Sequence, residues 1–324
     1  MLSTEKILQV LADGEFHSGE ELGAALGVSR AAVWKQLQKL EALNIVLESQ
    51  KGRGYRIVGG LDLLSREAVL ASSGEASKPF VESMDIFNEL ASTNEVALAK
   101  IAEGDAHGYC CTAELQRSGR GRRGRQWVSP FARNLYFSMV WQFHSGASAL
   151  EGLSLCIGVA VARALNRAGV DRVALKWPND VLLDGRKLAG ILLEMQGDPA
   201  GLCQVVIGVG VNVKMAGADT SAIQQPWADL RGYDIAEDRN CLLSLLIDAL
   251  VDVLTQYSRG GFALYRDEWQ SLDAYRGQEV MVQLGDTWVS GVAEGVDQGG
   301  GLLLRTDTGT RIFNGGEVSL RSLP

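Results

Sequence analysis

Residues 116–127 read Gln116-Arg117-Ser118-Gly119-Arg120-Gly121-Arg122-Arg123-Gly124-Arg125-Gln126-Trp127. Positions 119–124 match G-x-G-x-x-G literally, so the choice between a dinucleotide-binding fold and another architecture turns on this stretch. A dinucleotide site needs a helix to open at the glycines and an acid about 20 residues later. Here Trp127-Val128-Ser129-Pro130 breaks the chain, and the next acid is Glu151. The stretch reads instead as a flexible loop crowded with guanidinium groups. Arginine stays protonated and grips carboxylate or phosphate oxygens bidentately. Glycines between the arginines let backbone N–H groups approach an anion. The expected ligand is a polyanion. Neither G-x-x-x-x-G-K-[ST] nor a kinase D-F-G occurs, so P-loop and kinase chemistry have no support.

The rest of the chain makes that concentration of charge unusual. Its 324 residues hold 31 Lys and Arg against 39 Asp and Glu, a net charge of −8. Such a chain is no bulk nucleic-acid coat, and any DNA contact must come from a local basic patch. Cys110, Cys111, Cys156, Cys203 and Cys241 are odd in number and form no C-x-x-C. They read as reduced thiols of a cytoplasmic protein. His17, His107 and His144 make no zinc motif, so no protein-built metal site is expected. No uncharged apolar run reaches membrane-spanning length, and the N-terminus lacks a signal-peptide layout. No membrane partner is expected.

Upstream of the loop, residues 1–60 carry a local basic patch. Ile7, Leu8 and Leu11 keep helical spacing, and Leu22, Ala25 and Leu26 repeat it up to Gly27. Ser29 can cap a third helix with Val33, Leu37 and Leu40 inward. The short Gly27-Val28 link is a helix-turn-helix cue. Alternating residues on either side of a Gly-rich turn at 50–54 then predict a hairpin wing. Between Ser29 and Ile57 stand six bases (Arg30, Lys35, Lys39, Lys51, Arg53, Arg56) and two acids, a local balance of +4. Ser29, Arg30, Lys35, Lys51 and Arg53 are the candidate DNA contacts, with Arg30 near base edges and the wing on phosphates.

Residues 61–80 read as a connector. From 81 to 272, helical faces such as Leu153, Ile157, Ala160 and Ala164 alternate with apolar strand runs at 173–177, 187–195 and 205–213. That is a mixed α/β core. From 273 to 324 short strands separated by Gly- and Asp-rich turns suggest a small barrel. Two further motifs carry chemistry. Lys176-Trp177-Pro178-Asn179-Asp180 ends a strand with a point charge, a fixed turn, and two side chains fit for a base, a ribose, Mg²⁺ or the turn itself. Ser92-Thr93-Asn94-Glu95 reads as a capping box whose helix N-terminus would also offer donors to a polar ligand.

Taken together, Ser92-Thr93-Asn94, the loop 116–127, Lys176 through Asp180, Lys187-Leu188-Ala189-Gly190-Ile191-Leu192 and Gly208-Val209-Gly210-Val211-Asn212 resemble the biotin–protein ligases along essentially the whole chain. The N-terminal module makes it similar to the bifunctional type that also represses the biotin operon. The resemblance implies an α+β multidomain fold: an N-terminal winged helix-turn-helix, a central mixed-sheet α/β ligase domain and a C-terminal SH3-like β-barrel. It implies an ATP-dependent biotin–[acetyl-CoA-carboxylase] ligase that uses biotin, ATP and Mg²⁺. The implied partners are biotin carboxyl carrier protein and the operator DNA of biotin genes, with a homodimer forming when the adenylate is bound. By the same matching, Ser92, Thr93, Asn94, Gln116, Arg120, Gly121, Arg122 and Lys176 hold biotin, and Arg120, Arg122 and Lys176 serve catalysis. Asn179, Lys187, Asn212 and Trp227 lie near the nucleotide. A lipoate ligase, a sensor-repressor without turnover and a ligase without repression are the competing readings.

Overall fold

The computed structural model describes residues 2–41, 43, 45–144, 146, 150–198, 201–215, 217–285, 287–315 and 318–322. The first unit holds α1 (Leu2–Leu11), α2 (Gly19–Leu26), α3 (Arg30–Glu41) and a hairpin of β1 (Leu47–Gln50) and β2 (Gly54–Ile57). Ser18 and Glu21 form a reciprocal capping box at the start of α2, and Gly27 closes the helix at φ 66°, a left-handed cap that suits glycine. The Ser29 hydroxyl accepts the Ala32 N–H at 3.4 Å, as a cap should. Ile7, Leu8, Leu11, Leu22, Val33, Leu37 and Leu40 are buried together. Ala25 is exposed, against expectation. Gly23 faces inward instead, because a Cβ there would lie 2.9 Å from the Val28 carbonyl oxygen.

The stretch expected as a connector is a working part of the core. It forms α4 (Arg66–Ser72) and α5 (Lys78–Glu82), whose Val69 and Val81 are buried in the main cluster. The central sheet uses β3 (Asp85–Phe87), β4 (Cys110–Ala113), β5 (Leu135–Phe143), β6 (Val173–Lys176), β7 (Asp180–Leu183), β8 (Arg186–Gly197) and β9 (Cys203–Val211). Their order is β3-β4-β5-β9-β8-β7-β6, with the β3–β4 pair parallel and the rest antiparallel. α6 (Thr93–Ala102) packs its Ala97 and Ile101 against Val140 and Val206. α7 (Leu153–Arg167), α8 (Arg239–Gly260) and α9 (Arg266–Leu272) build the larger core with Ile157, Leu246, Leu250 and Trp269. The segment Arg239–Leu264 has the length and apolarity of a membrane span, but 61% of its most apolar window is buried in this core.

β10 (Glu279–Leu284), β11 (Thr287–Val296), β12 (Leu302–Thr306), β13 (Gly309–Phe313) and β14 (Val318–Ser322) form one antiparallel sheet ordered β13-β12-β11-β10-β14. Val280 and Val282 point inward as their alternation predicts, while Leu284 at the strand end is exposed. The Ala274 N–H donates to the Leu175 carbonyl at 2.9 Å, so this unit continues the edge of β6 and stands beside the mouth of the central cleft.

Candidate functional site

The floor of the cleft is made of glycine. Gly208 and Gly210 of β9 share one face of the strand, about 7 Å apart along it, and Gly190 of β8 pairs with Gly210. A Cβ on Gly208 would fall 2.2 Å from Asn94 Oδ1, and one on Gly210 would fall 2.6 Å from the Trp127 ring. The glycines are required by close approach of these side chains. Above them opens a cleft of about 750 Å³, the size of a small-molecule site.

One end of the floor holds a neutral hydrogen-bonding network. Ser92, Thr93 and Asn94 at the start of α6 are buried. The expected capping box does not form: the Ser92 side chain caps no N–H, and Glu95 turns to Arg120, 3.7 Å away. The Thr93 N–H and hydroxyl donate to Gln116 Oε1 at 2.9 and 3.2 Å, and Gln116 Nε2 donates to Ser129. Ser138 Oγ lies 2.8 Å from Thr93 Oγ1 and 2.7 Å from Asn94 Oδ1. One hydroxyl proton serves only one of them at a time, which leaves acceptor capacity for a ligand N–H. Asn94 Nδ2 donates to Glu194 at 2.8 Å. Sequence reasoning missed Ser138 and Glu194. Their signal was a polar residue inside an apolar strand run, where burial demands a partner.

The other end is cationic. Arg120 donates to Glu194 at 2.8 Å, so two carboxylates neutralise it and it fastens the loop to β8. The loop expected to be flexible is folded: the Gly121 N–H donates to Arg125 O and the Trp127 N–H to Gly119 O. Arg122 donates to Asn179 Oδ1 at 3.1 Å and to the Gly315 carbonyl, spanning the central and C-terminal units. Burial lowers the Arg122 pKa from its ordinary value, and nearby Asp180 opposes that shift. Lys187 Nζ pairs with Asp180 at 2.6 Å and stands 5.6 Å from the Trp127 ring centroid. Lys176 Nζ lies 5.4 Å from the Tyr275 ring centroid. Asn179 Nδ2 donates to Ile191 O, and buried Asn212 donates to Ala228 O. The Trp227 backbone pairs with Lys187. Trp127 Nε1 is buried without a hydrogen-bond partner.

All twelve cleft candidates therefore line one cavity: Ser92, Thr93, Asn94, Gln116, Arg120, Gly121, Arg122, Lys176, Asn179, Lys187, Asn212 and Trp227. Among the described residues, no group of three or more His, Cys, Asp and Glu is placed to hold a metal.

The N-terminal module presents a separate basic face. Lys35, Lys39 and Lys51 are exposed. Arg53 stacks 4.2 Å from the Phe16 centroid, and Arg56 pairs with Glu48. Arg30 folds over Gly19 at the start of α2, 3.3 Å from where a Cβ would sit.

Comparison with known proteins follows this division. Residues 4–56 match an HTH domain, residues 87–212 the biotin/lipoate A/B protein ligase family, and residues 276–321 the biotin protein ligase C-terminal domain. The chain is 41% identical over 320 residues to the bifunctional ligase/repressor BirA of Escherichia coli (strain K12), covering 98% of this chain and 97% of that protein. It is 38% identical over 234 residues to the biotin–[acetyl-CoA-carboxylase] ligase of Paracoccus denitrificans, covering 70% and 96%. The structure of the biotin protein ligase from Aquifex aeolicus in complex with biotin and ATP superposes with a TM-score of 0.63 at 28% identity, covering 75% of this chain and 100% of that one. With three matched regions in one order and identity along nearly its full length, the chain belongs to the biotin protein ligase family, in the bifunctional branch that joins a helix-turn-helix module to the ligase.

Proposed function

We propose that the chain joins biotin to ATP, releasing pyrophosphate, and passes the biotinyl group from the adenylate to a lysine of biotin carboxyl carrier protein, releasing AMP. The observation that carries this reading is the order of chemistry along the glycine floor. The neutral network of Thr93, Asn94, Gln116 and Ser138 stands over Gly208, and Lys187 stands over Gly190 beside Gly210. Biotin has the same order: a neutral ureido ring with N–H donors and a carbonyl, then a chain ending in a carboxylate.

In the first step a carboxylate oxygen attacks the α-phosphate, so anion meets anion. Fixed cations in a water-poor cleft offset that repulsion. Lys187 and Arg122 take this role. Lys187 Nζ lies 3.4 Å from the Cβ position of Gly190 on the floor, whereas Lys176 stands against Tyr275. The reading thus moves the central charge from Lys176 to Lys187, and makes Arg120 a fastener of the loop. Trp127, with its unpartnered indole N–H, and Trp227 flank the place left for the adenine. Mg²⁺ would be brought in with the triphosphate, since such ions keep few protein ligands, and would supply charge to offset the leaving pyrophosphate. Closure of the loops around 116–127 and 214–227 keeps water from the mixed anhydride.

The second activity is repression of biotin genes by an adenylate-bound homodimer whose two modules meet two operator half-sites. A bonded path supports coupling. Val213 and Met215, at the root of the 214–227 loop, contact the Asn134 side chain; Arg239 donates to Asn134 O and to the carbonyl of Asp62, five residues past the end of β2.

The test is biotin-dependent ATP–pyrophosphate exchange, with lipoate as the control acid. Exchange is expected with biotin alone. Lys187→Met is expected to lower it by roughly 100-fold or more, the scale of removing one transition-state charge contact, and Lys176→Met by much less. No exchange with biotin would overturn the ligase reading. Equal losses in the two variants would return the central role to both lysines.

A further inference from the structure

The three inward residues of α3, Val33, Leu37 and Leu40, leave an opposite stripe of Ala31, Trp34, Lys35 and Gln38, all exposed. These positions follow helical spacing and form one continuous face. At its centre Trp34 is 53% exposed. An indole left in water between a lysine and a glutamine forfeits the burial that makes tryptophan valuable. Nothing in the packing of the module asks for it, because the core is already closed by the residues on the other side.

The surroundings name the partner. The face belongs to the second helix of a helix-turn-helix, the element that lies in a major groove. The helix carries Arg30, Lys35 and Lys39 against Glu41, and with the wing the stretch 29–57 reaches +4, which complements a duplex in a chain of −8. Arg30 lies over Gly19 at the N-terminal end of α2, where phosphates meet helix termini, and this leaves the centre of the stripe to Trp34. The major groove has one apolar feature, the thymine C5-methyl group, and apolar side chains read it by contact. We propose that Trp34 is a sequence-reading residue that packs on thymine methyl groups in the major groove. The proposal rests on the DNA-binding half of the function proposed above and adds the base feature that is read.

The experiment separates the two. The full chain, loaded with biotin, ATP and Mg²⁺, selects duplexes from a random library, and the best duplex is then made with thymine and with uracil, which lacks only the methyl. Binding is measured at one fixed salt concentration. Uracil is expected to weaken the wild type by roughly 5- to 10-fold, the low end of a lost base contact. Trp34→Ala is expected to bind both duplexes equally, with an unchanged salt dependence, because no phosphate contact is lost. Trp34→Phe is expected to keep part of the discrimination, which shows that the effect does not come from misfolding. If the wild type selects duplexes but treats thymine and uracil alike, or if Trp34→Ala discriminates as well as the wild type, the role of Trp34 is overturned. If the wild type selects no duplex, the DNA-binding reading falls and takes this proposal with it.

Discussion

The N-terminal module and the C-terminal sheet are both joined to the central unit: the first packs Phe131 and Ala132 into its apolar cluster and adds a buried ionic network, the second adds strand pairing and single polar contacts. At the first junction Arg239, 1% exposed, donates to the Asn134 carbonyl, the Asp62 carbonyl and Glu114. Glu114, also 1% exposed, accepts the Leu64 N–H as well. Asn240 donates to Asp62 and the Leu63 carbonyl and accepts from the Ser65 N–H. Buried charge is here met by opposite charge and by backbone, the condition for tolerating it, although Arg239 Nε is buried without a hydrogen-bond partner, 3.7 Å from Asp62. The second junction is held by backbone pairing of Leu175 with Asp273, by Trp177, whose indole donates to the Gly300 carbonyl at 3.0 Å, and by Arg122, which donates to the Gly315 carbonyl. It holds one incompletely satisfied acid. Asp273 Oδ1 accepts the Tyr275 N–H, but Oδ2 is buried without a partner. Burial raises the Asp273 pKa, which makes the second junction sensitive to pH.

The largest effect should come from opening the first junction. Arg239→Met removes the cation and leaves Glu114 charged and buried. The expected loss is about 3–5 kcal/mol, as for other broken buried pairs, read as a lower midpoint in urea unfolding. Adding Glu114→Leu should recover a large part of that loss, because the stranded charge disappears with its partner. If the single variant loses less than about 1 kcal/mol, within the range of an exposed pair, the junction is no tighter than a surface contact and the comparison fails.

How much of this the sequence announces depends on distance along the chain. The N-terminal module is legible because its apolar residues repeat at helical spacing and Gly27 stops α2. The loop at 116–127 and the Lys176–Asp180 turn are legible because unusual residue types stand next to one another. Arg239 and Glu114 are 125 positions apart, and each alone looks like a surface charge. α4 and α5 are too short to show a period, so a stretch that helps build the core reads as a connector. Ser92-Thr93-Asn94-Glu95 misleads in a third way. Its local pattern is that of a capping box, but no cap forms, and Glu95 lies 3.7 Å from Arg120, which only the fold brings near. Ser138 and Glu194 complete the site from strands whose apolar neighbours conceal them.

The second junction gives the next effect, and it depends on pH. Burial raises the Asp273 pKa from its ordinary 3.8 to about 6. Between those values the folded protein holds the proton more firmly than the unfolded chain. The favourable contribution is therefore complete below about pH 4 and is lost as pH rises through 6. The difference in pKa corresponds to at most about 3 kcal/mol. Asp273→Asn cannot titrate, so unfolding measured at pH 4.5 and at pH 7.5 should show a fall in stability for the wild type that is absent in the variant. Equal pH dependence in both proteins would mean that Oδ2 finds compensation in solution.

The smallest effect should come from Trp177→Phe. The ring still fills most of the apolar space, but the indole donor is gone and the Gly300 carbonyl is left buried without it. Gly300 cannot turn away to find water. Its φ is 84°, and a Cβ there would lie 2.8 Å from Gly152 Cα, so the turn is already pressed against the start of α7. A lost neutral hydrogen bond at such a place costs about 1–2 kcal/mol. Unlike the Asp273 effect it should be the same at pH 4.5 and 7.5, since neither group titrates there. A loss as large as that of Arg239→Met would show that the second junction depends on this one polar contact as heavily as the first depends on Arg239. A loss confined to the expected range would show that packing and strand pairing carry it, with the indole setting only the register between Trp177 and Gly300.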